Sequence, residues 1–152
     1  MTANCKIRVT KEFNFEMAHA LWNYDGACKT VHGHSYKLFV TVRGIPISDS
    51  SNPKIGMVID FGQLKKLVYD EIVAKFDHAL VISKCADFDD LKISNQMFDN
   101  LIVVDYQPTC ELMVADFANR ISGRLSSGLE LFSLRLYETA TSYTEWYAED
   151  NQ

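Results

Sequence analysis

The chain has 152 residues, of which 47% are hydrophobic and 23% charged, and its formal net charge is −5. That is length enough for one domain with a buried core, and the acidic balance argues against a general nucleic-acid binder, which needs a basic face. No apolar run approaches the ~18–20 residues of a membrane span, and the start, "MTANCKIRVTKEF", has no leader-like apolar core. The expectation is a single domain over residues 1–152, cytoplasmic, with no membrane partner and no direct nucleic-acid partner. Cys5, Cys28, Cys85 and Cys110 are scattered without a CxxC pair, as free thiols in a reducing compartment are.

In chain order, Ile7, Val9, Phe13, Phe15 and Met17 are odd-numbered apolar residues among polar ones, and the parity runs on to His19. Period two predicts a half-buried strand, with Lys11 as a break that marks a bulge. Tyr36, Leu38, Val40 and Val42 give a second strand on even numbers, and the same parity reaches back to His34 and His32. Loop-like "GIPISDSSNPKIG" (44 to 56) follows. Apolar residues recur at helical spacing across 60 to 76 (Phe61, Leu64, Leu67, Val68, Ile72), with Asp60 as N-cap. The acidic stretch 83 to 100 reads as a loop, and "LIVVDY" (101 to 106) as an extra strand or a turn. A second helix covers 108 to 125 behind Thr109 as N-cap. Strands follow at 131 to 139 and in "TSYTEWYAE" (141 to 149), with Phe132, Leu134, Leu136 and Glu138 on one face. The order β-β-α-α-β-β predicts an α+β fold: a four-stranded antiparallel sheet with two helices on one face.

"CKTVHGHSY" (28 to 36) concentrates the chemistry. His32 and His34, at i and i+2 on a strand, present both imidazoles on one side, and Gly33 between them leaves room for another backbone. In a hairpin His19 joins them, and three nitrogens with a fourth position open is a catalytic zinc pattern. Imidazole suits other transition metals too, and histidines satisfied as polar strand ends are the competing reading. Cys28 is open to four: metal ligand, nucleophile, proton-transfer group, or small buried residue. Asp77 can orient His78 if their side chains meet, though a histidine near a helix C-terminus also has a structural reason to be there. Glu138 lies by parity where a core residue belongs. A carboxylate there needs an arginine or a ligand with adjacent N–H donors, unless the strand ends before it. Glu111 sits in the first turn of a helix, where the dipole favours an acid.

Together "FEMAH" (15 to 19), "CKTVHGHSYKL" (28 to 38), "MVIDFGQLK" (57 to 65), "FDH" (76 to 78), "QPTCE" (107 to 111) and "LYETATSY" (136 to 143) resemble the family of 6-pyruvoyltetrahydropterin and 6-carboxytetrahydropterin synthases over nearly the whole length. The resemblance implies the tunnelling fold, a homohexamer built as a dimer of trimers, and active sites between subunits. It implies Zn2+ on His19, His32 and His34, Cys28 as proton acceptor, and an Asp77–His78 proton relay. Glu138 would anchor a pterin ring, and Thr109 and Glu111 would line its pocket. The substrate would be 7,8-dihydroneopterin triphosphate. The product would be 6-carboxy-5,6,7,8-tetrahydropterin with acetaldehyde and triphosphate, a step toward the modified base queuosine. The pyruvoyl synthase is the alternative within the family. A non-catalytic metal- or pterin-binding oligomer is the alternative outside that chemistry. Three residues between Cys28 and His32 resemble the carboxy branch. Met17, Val81, Ile82, Cys110 and Leu112 depart from the family pattern, and the 83 to 100 stretch is longer than in compact members.

Overall fold

The computed structural model describes residues 4–86 and 96–152. Strand β1 (Ile7–His19) and strand β2 (His32–Gly44) form one long antiparallel hairpin, in register from Ile7 opposite Gly44 to His19 opposite His32. Its inner face carries Phe13, Phe15 and Met17 from β1, and Tyr36, Leu38, Val40 and Val42 from β2, all buried. The two parities read from the sequence therefore converge on one core. Lys11 pairs with Val40 without interruption, so the expected bulge there is absent.

Helix α1 (Phe61–Val68) starts where Asp60 accepts hydrogen bonds from the N–H groups of Gly62 and Gln63. It continues through a π turn (Tyr69–Val73) into the short α2 (Ala74–Phe76). Leu64, Val68, Ile72 and Phe76 face the core, whereas Phe61 of the predicted apolar set is exposed. Helix α3 (Cys110–Ser122) begins at Thr109, whose Oγ1 accepts from the N–H of Leu112 at 3.4 Å. It buries Met113, Val114, Phe117, Ala118 and Ile121 and leaves Leu112 exposed. Phe117 meets Phe15 and Phe76 edge-on, at centroid distances of 6.1 and 4.9 Å, and so joins sheet to helices. Phe117→Ala should cost about 3–5 kcal/mol, a large share of the ~5–15 kcal/mol of a typical domain. The midpoint of urea unfolding reads that loss.

Among the described residues the sheet has six strands, not four, and it is mixed, not antiparallel. Its order is β4-β3-β1-β2-β5-β6. Strand β3 (Ala79–Ser83) runs parallel to β1, and β4 (Leu101–Val104) runs parallel to β3. Both are short apolar runs, whose period does not separate a buried strand from a helix tail. Of the 83 to 100 stretch, residues 87–95 lie outside the described residues. Strand β5 (Glu130–Tyr137) pairs with β2 and with β6 (Tyr143–Tyr147).

The bulge of this sheet is in β5. The register shifts between Thr41 and Val42, which face Ser133 and Leu131. One extra residue reverses parity there. Leu131 is buried with Leu134 and Leu136, and Phe132 turns to the other face. There its ring lies under the Arg8 guanidinium, 3.8 Å from the centroid.

Candidate metal centre and active site

The hairpin register sets His19 against His32 at the end of the sheet, and the strand pleat puts His34 on the same side. One nitrogen from each of the three rings falls within 4.8 Å of the others. Two rings are held by backbone carbonyls: His19 Nδ1 bonds Pro108 O at 2.7 Å, and His32 Nδ1 bonds Thr30 O at 2.7 Å. A carbonyl only accepts, so both Nδ1 atoms carry the proton and both Nε2 atoms, in the neutral rings, offer lone pairs. Those Nε2 atoms face each other at 3.0 Å. Two lone pairs at that distance call for a cation between them. Burial lowers the pKa of His19, against the opposing effect of the Pro108 hydrogen bond, so a proton is poorly suited to the place. His34 Nε2 is buried and has no hydrogen-bond partner among the described residues.

These residues fit a transition-metal ion. Nitrogens about 2.0–2.1 Å from a tetrahedral zinc ion stand about 3.3 Å apart, close to the spacing of the facing Nε2 atoms. The carbonyls of Pro108 and Thr30 are the outer partners that fix tautomer and ring orientation in such sites. Neither carbonyl was visible in the sequence, because spacing does not show which backbone oxygen a ring will find. Gly33 is not required by crowding within the chain, since a Cβ there would meet only Met17 O at an ordinary 3.6 Å.

Glu138 lies just past the end of β5, in a turn closed by its N–H bonding Ser142 O at 3.1 Å. Its Oε1 is 3.4 Å from His19 Nε2 and 3.7 Å from His34 Nε2, and its side chain is 28% exposed. The carboxylate thus faces the imidazoles and still reaches solvent. The Tyr36 hydroxyl, on the face of His32 and His34, is the other buried side-chain polar atom without a partner among the described residues. Burial pushes that phenol up, and the charges of Glu138, Cys110 and Cys28 add to the shift. The strand parity carries Tyr36 to this face, but a tyrosine in an apolar series reads as core.

Cys28 lies in a 3₁₀ turn (Ala27–Lys29), half-buried, outside the three-histidine group. Its carbonyl accepts from the N–H of Leu21 at 2.9 Å. Asp77 and His78 do meet: His78 Nδ1 is 3.1 Å from Asp77 Oδ2, while Asp77 Oδ1 accepts from the N–H of Glu16 at 2.9 Å. His78 has φ 59°, a left-handed conformation uncommon for non-glycine residues but one in which histidine is enriched, and its side chain is 79% exposed. The turn that ends α2 therefore holds the dyad out toward solvent; neither residue belongs to the three-histidine group, yet His78 and His34 line one open cavity. Thr109 is half-buried and caps α3, and Glu111 is exposed on its first turn. Cys110 is buried, and desolvation pushes its thiol up to about 11, away from the thiolate form. Among the described residues no helix is long and apolar enough to cross a membrane.

The comparisons with known proteins agree with this architecture. The 6-carboxy-5,6,7,8-tetrahydropterin synthase of Haemophilus influenzae is 33% identical over 141 residues, which cover 91% of this chain and 97% of that one. Its counterpart in Rickettsia typhi is 31% identical over 141 residues, covering 91% and 99%. Among solved structures, 6-pyruvoyl tetrahydropterin synthase of Caenorhabditis elegans matches with a TM-score of 0.67 at 21% identity, over 97% of this chain and 99% of that one. The Plasmodium falciparum enzyme of the same name matches with a TM-score of 0.70 at 22% identity, over 95% and 99%. The model of the family described as 6-pyruvoyl tetrahydropterin synthase matches residues 8–149, a span that takes in every candidate residue from His19 to Glu138, and the chain belongs to that family.

Proposed function

We propose that this protein is a zinc-dependent 6-carboxy-5,6,7,8-tetrahydropterin synthase. It converts 7,8-dihydroneopterin triphosphate to the carboxypterin with loss of acetaldehyde and triphosphate, in queuosine biosynthesis. The observation that carries the reading is the His19–His32–His34 cluster with its bare nitrogens. The similarity to curated 6-carboxytetrahydropterin synthases selects the branch.

His19, His32 and His34 hold the ion, and bound zinc supplies Lewis acidity toward the side-chain oxygens of the substrate. Glu138 accepts from the adjacent N–H donors of the pterin ring, as a carboxylate does in a bidentate pair. Cys28 takes a proton from the substrate side chain. Asp77 holds the Nδ1 side of His78, leaving Nε2 to move the second proton. Thr109 and Glu111 line the ring pocket from the start of α3. The exposed dyad supports a homohexameric assembly in which Asp77 and His78 serve a site shared between subunits, and residues of the open Glu138 turn meet a neighbour. The cytoplasm is the compartment of such an enzyme.

Incubation of the metal-loaded protein with 7,8-dihydroneopterin triphosphate, followed by mass spectrometry and an acetaldehyde assay, tests the reading. Stoichiometric acetaldehyde and carboxytetrahydropterin are expected. Triphosphate release with the carbon skeleton retained would instead assign the pyruvoyl reaction. No turnover by protein carrying one metal equivalent per chain would leave a binding oligomer.

A further inference from the structure

The twelve residues between β1 and β2, 20 to 31, carry Cys28, and their position relative to the histidines is set from outside the hairpin. The side-chain amide of Gln107 pairs with the backbone of Trp22 at both ends. Trp22 N–H donates to Gln107 Oε1 at 3.0 Å, and Gln107 Nε2 donates to Trp22 O at 2.7 Å. This is the two-bond pattern of a strand partner, made by a side chain. Next to Trp22, the Leu21 N–H holds the carbonyl of Cys28 at 2.9 Å. Next to Gln107, the Pro108 carbonyl holds Nδ1 of His19 at 2.7 Å. The backbone carbonyl of Gln107 accepts from the Thr109 N–H at 2.7 Å, and Thr109 caps α3. Three consecutive residues thus fix the thiol loop, one metal histidine and the start of a helix against one another.

We infer that Gln107 is a positioning residue: its amide clamps the Trp22 backbone and thereby sets the Cys28 thiol against the metal histidines. The inference rests on the reading of Cys28 as the proton-accepting thiol. Residue type and length both matter. Only an uncharged amide presents a donor and an acceptor side by side to a backbone N–H and C=O. The second end of the loop is tied to a second histidine of the group, because Thr30 bonds Ala27 O through both its N–H (3.2 Å) and its hydroxyl (2.9 Å), while its own carbonyl holds His32. Cys28 therefore sits between two anchors that each end on a metal-ligand imidazole. Releasing the Trp22 anchor frees the thiol without touching either imidazole.

The test compares holoprotein carrying Gln107, Gln107→Met and Gln107→Glu. It follows iodoacetamide alkylation of each cysteine by peptide mass spectrometry, with metal content and steady-state kinetics on the same samples. For Gln107→Met the Cys28 rate should rise about tenfold, the scale of losing two modest hydrogen bonds. Cys5 and Cys85, both exposed, and the buried Cys110 should keep their rates. Metal content should stay constant, and kcat should fall about tenfold with KM within about threefold, because positioning acts on the reacting step. Gln107→Glu keeps an acceptor for the Trp22 N–H and should fall between the two. An unchanged Cys28 rate in both variants overturns the inference, and so does a rise shared with Cys110, which would mean general loosening. The alkylation readout does not depend on turnover, so it stands apart from failure of the Cys28 reading, which would appear as full activity in Cys28→Ala.

Discussion

Cys28→Ala is expected to lower kcat by about 10²–10⁴-fold, the usual contribution of a positioned general base, while the protein keeps one equivalent of zinc per chain. The two halves of that expectation come from different parts of the structure. The thiol stands in the Ala27–Lys29 turn and is not among the three nitrogens that gather within 4.8 Å. The bonds that orient the ligands, His19 to Pro108 O and His32 to Thr30 O, are to backbone oxygens that the substitution leaves in place. The turn itself is held through backbone groups, Leu21 N–H to Cys28 O and Thr30 N–H to Ala27 O. Removing Sγ therefore removes chemistry and little else. Metal analysis beside single-turnover kinetics checks both halves. Wild-type turnover in the variant would sink the role of Cys28 and revive the binding oligomer. Loss of zinc together with activity would make the thiol a ligand, the reading the sequence left open.

The histidine centre was legible because strand geometry is rigid. Period two placed His19 and the His32–His34 pair on inner faces, and the antiparallel register of the two strands brings their ends together at one level. Both helix starts were legible for an equally local reason, since Asp60 and Thr109 cap through their own side chains. What escaped depended on partners distant in sequence. Ala79–Ser83 is a strand only because Met17–His19 offers a parallel edge, and the choice left open at 101 to 106 between strand and turn falls to strand because β3 is there to receive Leu101–Val104. The slip at Phe132 is decided by how β5 meets β2, so the parity drawn through Phe132, Leu134 and Leu136 failed at its first member and held at the other two. Glu138 keeps the side that parity gave it, yet it stands in a turn beyond the strand and looks at two imidazoles. That placement bears out one of the alternatives left open for it, the strand ending before it, while the imidazole neighbours were not among them. The amide of Gln107 and the carbonyls of Pro108 and Thr30 belong to the same class of feature: their roles are set by what folding puts opposite them.

His34→Ala should abolish tight metal binding and activity together. His34 is the ring of the three whose Nε2 has no hydrogen bond among the described residues; Glu138 Oε1 stands 3.7 Å from it. A buried nitrogen in that state costs about 1–3 kcal/mol unless something occupies it. An ion held by the three rings would remove that penalty in the wild type, and the alanine variant has no such penalty to remove. Loss of an outer partner alone weakens metal sites about 10–100-fold, so loss of one of three nitrogens should exceed that range. His19 and His32 would remain oriented by their carbonyls, but two nitrogens leave a tetrahedral ion short of a protein ligand. Two measurements separate the consequences. Zinc content after gel filtration should fall from one equivalent to none. Added zinc should raise the melting temperature of the wild type, through binding to the folded state alone, and leave that of the variant unchanged. The metal-free variant should still fold, because His34 lies at the end of the sheet and the apolar core starts at Tyr36 and Met17. A variant that retains one equivalent and shows the wild-type zinc-induced shift would mean the ion is held elsewhere, and the three-histidine assignment would fall with it.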